Sequence, residues 1–150
     1  MDLILWRHCE AEPGEPDLGR RLTPKGQKQA ERMAEWLERH LPDTARILVS
    51  PADRAQQTAQ ALPRRFRTVQ ELAPGASAAA VLAAANWPDA REPVVVVGHQ
   101  PTLGMVASYL LSGAPAYWSI RKGSVWWLSN RAKEDGASVV LKSVQSADFL

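Results

Sequence analysis

A chain of 150 residues with 45% hydrophobic and 23% charged side chains is long enough to bury roughly 68–70% of its unfolded surface in a single domain, 1–150. The net charge of +2 is too small to argue for nucleic-acid binding, and the short Arg64, Arg65, Arg67 cluster reads as a solvated face. One cysteine excludes an internal disulfide and fits a reducing compartment; with no secretory pattern and no apolar run near the ~20 residues of a bilayer span, the expectation is a soluble, cytoplasmic protein without a membrane partner.

Strand-length apolar runs alternate with helical periodicity. Leu3 to Trp6 predicts a first buried strand. Ala30, Met33, Ala34, Leu37 and Leu41 recur at helical spacing, giving a helix over Pro24 to His40 with Thr23 as its hydroxyl cap. Ile47 to Val49 predicts a second strand, and Ser50-Pro51 opens a helix to Leu62. A weaker strand follows over Arg67 to Leu72, then an alanine-rich helix over Ser77 to Asn86. Val94 to Val97 is β-branched on both faces, as a central parallel strand should be. Pro101 starts a helix to Leu111. Strands over Ser124 to Leu128 and Ser138 to Val144 follow, joined by a turn around Glu134-Asp135-Gly136. Of the adjacent Trp126 and Trp127, one ring is expected inward and the other outward. The pattern predicts an α/β fold with a mostly parallel sheet and a mixed edge.

Each confident strand ends in residues that carry chemistry. The first ends in Arg7-His8, the second in Ser50-Pro51 with Arg54 one helical turn on, and the valine strand in Gly98-His99-Gln100-Pro101. Open parallel sheets bind ligands beyond the carboxyl ends of their strands, so two arginines and two histidines should meet there. Helix starts lie nearby and favour an anion. Guanidinium forks match phosphoryl oxygens, and an imidazole can form a covalent phosphoenzyme. No metal or cofactor is needed for that chemistry. A zinc site from His8, Cys9 and His99 is conceivable but has unusual ligand spacing. A cysteine phosphatase would need an arginine six positions after Cys9, where Glu15 stands. Singly, these residues would read as satisfied core histidines or structural ion pairs; His40, near a helix C-terminus where a histidine suits the dipole, has no companion motif and is given no role.

Arg7-His8, the Ser50-to-Thr58 stretch SPADRAQQT and Val97-Gly98-His99-Gln100-Pro101 together resemble the histidine phosphatase superfamily, the phosphoglycerate-mutase-like fold. The length and the stretch RRLTPKG from Arg20 look like its small SixA-like phosphohistidine phosphatase branch. The resemblance implies a three-layer α/β/α sandwich. It implies His8 as the phosphorylated nucleophile, Arg7 and Arg54 as phosphate-binding arginines and His99 as the pocket's second histidine. Arg20 is implied as a further phosphate or substrate contact. Two departures stand out: Cys9 replaces the glycine usual after the nucleophile, which should reshape the pocket slightly, and Gln100 replaces an asparagine.

The proton donor stays open between Glu10, which the resemblance favours, and Glu71; Glu12 and Glu15 read as solvated. The short span between Leu72 and Val94 leaves no room for a substantial lid. The implied substrate is therefore phosphohistidine on a histidine-containing phosphotransfer protein. The alternatives are small phosphomonoester metabolites, or a phosphate-binding module that has lost catalysis. Cys9 is expected to be an oxidisable neighbour able to block the pocket.

Overall fold

The computed structural model describes residues 1–133 and 136–150. Its elements run β1 (Asp2–Arg7), α1 (Pro24–His40), β2 (Arg46–Val49), α2 (Asp53–Gln60), β3 (Arg67–Thr68), α3 (Ala78–Ala84), β4 (Val94–Gly98), α4 (Thr102–Ser112), β5 (Val125–Lys133) and β6 (Gly136–Gln145). The strands form one sheet in the order β3-β2-β4-β1-β5-β6. The first four are mutually parallel, and β5 turns back antiparallel against β1 before β6 pairs with it. The expected parallel sheet with a mixed edge is the one observed.

Alternation along β1 and β4 builds two cores. Ile4, Trp6, Val95 and Val97 face Met33, Ala34 and Leu37 of α1 and Ala55 and Ala59 of α2. Leu3, Leu5, Val94 and Val96 face Val81 of α3 and Leu103, Val106 and Ala107 of α4. Both faces are covered, which explains why the central strands carry no polar alternation. The same fact corrects the reading of the tryptophan pair. Trp127 packs on the α1 face, edge-on to Trp36, and Trp126 on the α4 face beside Trp118. Both rings therefore pack against a core cluster.

The boundaries differ from expectation at the ends. Ser50, Pro51 and Ala52 precede α2, because Ser50 is committed elsewhere (below) and Ala52 stands at the cap position. The weak third strand shortens to Arg67–Thr68, and Gln70–Leu72 winds into a 3-10 turn. The last two strands are longer than the apolar runs that announced them. An extra residue on β6, Lys142, falls opposite the Trp127–Leu128 step. It puts Lys142 Nζ over the Trp127 ring and 3.3 Å from the Asp2 carboxylate. Glu134 and Asp135, where the connecting turn is expected, lie outside the described residues.

Candidate active site at the carboxyl ends of the parallel strands

β1 lies between β4 and β5, so its last residues are held from both sides. The His8 N–H donates to the Gly98 carbonyl at 3.0 Å and the Arg7 N–H to Ser124 at 3.1 Å. From the far side the Gly123 N–H is shared by the Arg7 and His8 carbonyls, each at 3.1 Å. Gly123 has φ +74°, a conformation that costs glycine little. His8 and His99, from adjacent strands β1 and β4, bring their rings to 5.1 Å between centroids. Four residues from three strand ends thus gather as the strand pattern requires.

His8 is 7% exposed, and its Nδ1 lies 2.8 Å from the Cys9 carbonyl. A carbonyl only accepts, so Nδ1 carries the proton and Nε2 keeps its lone pair. Burial pushes the His8 pKa down to about 4, and the charges of Arg54, Arg7 and Arg20 push the same way, against the Cys9 carbonyl contact. His99, 4% exposed, lies lower still, at about 3, through burial and then the neighbouring His8 and Arg54. Its Nε2 is 2.7 Å from Ser50 Oγ. Both rings are therefore neutral near pH 7.

The arginines are pinned at one end and open at the other. Arg7 donates one terminal nitrogen to the Ile120 carbonyl at 2.8 Å. Arg54, 4% exposed, donates to the Asp17 carbonyl at 2.8 Å and the Asp17 carboxylate at 3.2 Å. Arg7 Nε, Arg54 Nε and His99 Nδ1 are buried and lack a partner among the described residues. Buried donors without acceptors are costly, and here two belong to arginines whose charge acts on both His8 and His99 and the third to His99 itself. A tetrahedral oxyanion would satisfy them.

Arg20 joins this cluster through Asp17 Oδ1 at 3.2 Å and also binds the Glu12 carbonyl. The Arg20 and Arg54 contacts hold the Asp17 carboxyl below the usual carboxylate range. Asp17 has no periodic signal in the sequence; its spacing of three from Arg20 is the one hint. Thr58 is a second residue missed: buried, its hydroxyl accepts the Cys9 N–H at 3.0 Å and donates to the Arg54 carbonyl at 2.7 Å. Ser50 and Thr58 both lay inside the recognised stretch without a role assigned to them.

Glu10 lines a polar cavity of about 280 Å³ together with Arg7. Its Oε2 accepts the Thr23 hydroxyl at 2.8 Å, and Thr23 caps α1 through the Gly26 N–H. Glu71 lines another cavity, with Leu48, Arg67 and Val69, away from the four clustered residues. Cys9 faces neither. It is fully buried with Leu22 and Ala30, and burial pushes its thiol up to about 12. The expected pocket-blocking oxidation is therefore withdrawn: such a thiol is inert, and it points into the core. It cannot serve a zinc site with His8 and His99 either; among the described residues no three His, Cys, Asp or Glu side chains gather as metal donors.

A family model for the histidine phosphatase superfamily, branch 1, matches residues 3–77, a span holding Arg7, His8, Arg20 and Arg54. The chain is 40% identical over 72 residues to a phosphohistidine phosphatase SixA homolog of Haemophilus influenzae, a match covering 44% of each chain. That match spans less than half of the relative's length. Phosphohistidine phosphatase SixA of Escherichia coli is 31% identical over 124 residues, covering 75% of this chain and 76% of that one. In structure, the protein histidine phosphatase SixA complexed with tungstate superposes with a TM-score of 0.75 at 25% identity, over 99% of both chains. The strand-end cluster, the matched span and the shared α/β/α fold, phosphoglycerate-mutase-like, agree: the chain belongs to the histidine phosphatase superfamily, branch 1.

Proposed function

We propose that residues 1–150 act as one phosphatase domain that works through a phosphohistidine at His8, without a metal, and that its substrate is phosphohistidine on a protein partner of the histidine-containing phosphotransfer type. The observation that carries the reading is the neutral His8 ring, its proton fixed on Nδ1, beside buried and unpartnered Arg7 Nε, Arg54 Nε and His99 Nδ1. Nε2 attacks phosphorus in line as the bond to the leaving atom breaks. Arg7 and Arg54 take the equatorial oxygens. With the Ser50 hydroxyl donating a hydrogen bond to His99 Nε2, His99 Nδ1–H donates to a third. Glu10, which shares a cavity with Arg7, gives the leaving atom its proton and then takes one from the water that hydrolyses the phosphoenzyme. Arg20 acts through Asp17, keeping positive charge at the rim.

The protein substrate is supported by two relatives that are phosphohistidine phosphatases and by the short α3 connection between β3 and β4, only seven residues of helix, which builds no roof. Brief exposure to a phosphodonor should leave an acid-labile, alkali-stable label, and His8→Ala should abolish label and turnover together. Glu10→Gln should slow phosphoenzyme formation from phenyl phosphate roughly 10²-fold while sparing the first-turnover release of 4-nitrophenol from 4-nitrophenyl phosphate, whose leaving group needs no proton. Full activity in His8→Ala would end the proposal. Turnover of small phosphomonoesters without action on any phosphohistidine protein would favour the metabolite alternative.

A further inference from the structure

The cavity beside Arg7 contains more positive charge than one phosphoryl group requires. Lys25 from the first turn of α1, and Arg121 and Lys122 from the loop before β5, line it with Arg7, Glu10 and Asp148. None of those three additional cations has an ion-pair partner among the described residues. Gln29 forms the inner wall. It is 6% exposed, and its Oε1 accepts the Glu10 N–H at 3.0 Å, which commits the carbonyl end of the amide. Its NH2 group, with no acceptor among the described residues, is left to the cavity. The Glu10 carboxylate is engaged by the Thr23 hydroxyl. The space is thus lined by one buried amide donor and four cations, against two carboxylates, and it adjoins the phosphoryl-binding arginine.

We infer that this cavity is a second anion subsite, taking a carboxylate that the substrate carries next to its phosphoryl group. Resting on the proposed phosphohistidine reading, the carboxylate is an acidic side chain of the partner protein close to its phosphohistidine. Gln29 NH2 is the hydrogen-bond donor at the back of the subsite, and Lys25, Arg121 and Lys122 supply the charge at its mouth. The interaction is between partly exposed charges, so it weakens with salt. It sets which partner is chosen and how fast it docks, not the chemistry at phosphorus.

The test uses two phosphohistidine peptides that differ only in Glu or Gln at positions flanking the histidine, with phenyl phosphate and carboxyphenyl phosphates alongside. For the wild-type protein the KM of the Glu peptide should be roughly 5–10-fold below that of the Gln peptide at low salt, and the gap should close by 0.5 M NaCl. In Arg121→Glu/Lys122→Glu the ratio of the two KM values should collapse towards one, and phenyl phosphate turnover reports whether the variant is folded. If it is not, Lys122→Gln should still narrow the ratio. Equal KM values in the wild type, or a preference that survives in the variants, would overturn the subsite. Should neither peptide be dephosphorylated while carboxyphenyl phosphate outcompetes phenyl phosphate and loses that advantage in the variants, the phosphohistidine reading fails and the acidic-side-chain assignment fails with it. The subsite would then belong to a small phosphorylated carboxylate.

Discussion

His8 stands among three guanidiniums in a buried site, and every one of those surroundings disfavours its imidazolium. The proposed attack on phosphorus needs a free lone pair on His8, so the surroundings that would bind the phosphate would also keep the ring ready. The linkage to stability follows. His8 and His99 have folded pKa values of about 4 and about 3, below the 6.5 of a free imidazole. The stability they contribute is fully present above pH 6.5 and is lost as pH falls from there towards 3, because the unfolded chain takes up protons that the folded one refuses. Urea midpoints should therefore drop steeply between pH 7 and pH 4, and His8→Asn should flatten that slope. A slope unchanged in the variant would contradict the assignment. Asp17 acts on the same charge balance from outside. It holds both terminal nitrogens of Arg54, while Nε has no partner among the described residues. Asp17→Asn removes a negative charge from the site but loosens Arg54, so inorganic phosphate should inhibit more tightly while kcat falls several-fold. A parallel loss of both would mean that Asp17 merely supports the fold.

At the scale of elements, the loop after β1 is locked to the start of α1. The Glu10 carbonyl accepts the Thr23 N–H, and a methyl group added at Gly26 would collide with that same carbonyl. Gly26→Ala should cost roughly 1–3 kcal/mol, read from the urea midpoint, and should raise KM because Glu10 and Lys25 move with the loop. Much of this level was legible in the sequence. Thr23-Pro24 announced the start of α1, and its apolar spacing gave the end at His40. The unbroken Val94–Val97 run gave the central strand. What escaped was whatever depended on partners distant in sequence. β3 is short because it pairs with only the end of β2 at the sheet edge, and no local pattern could say so. Cys9 looked like a pocket residue by adjacency to His8, yet its side chain turns towards Leu22 and Ala30. The site's histidines and arginines were readable because parallel strands must end together; Asp17 and the Ile120–Gly123 support were not, since loops carry no period.

For the molecule as a whole, the carboxyl ends of the parallel strands collect cations from β1, the start of α1, α2 and the loop before β5. Nothing in that arrangement asks for a metal, since the arginines and a neutral imidazole already match an oxyanion. Turnover of 4-nitrophenyl phosphate should be unchanged after exhaustive dialysis against a chelator; a loss restored by a divalent ion would refute the proposed chemistry.

The backbone bonds around Arg7 and His8 also carry a consequence for biosynthesis. His8 directly follows β1, yet its amide is fixed by Gly98 and its carbonyl by Gly123, about 90 and about 115 residues further along the chain. On the ribosome His8 therefore emerges long before these partners, and the proposed site is complete only once residues 120–124 have emerged and docked. Those late contacts make the site slow to assemble.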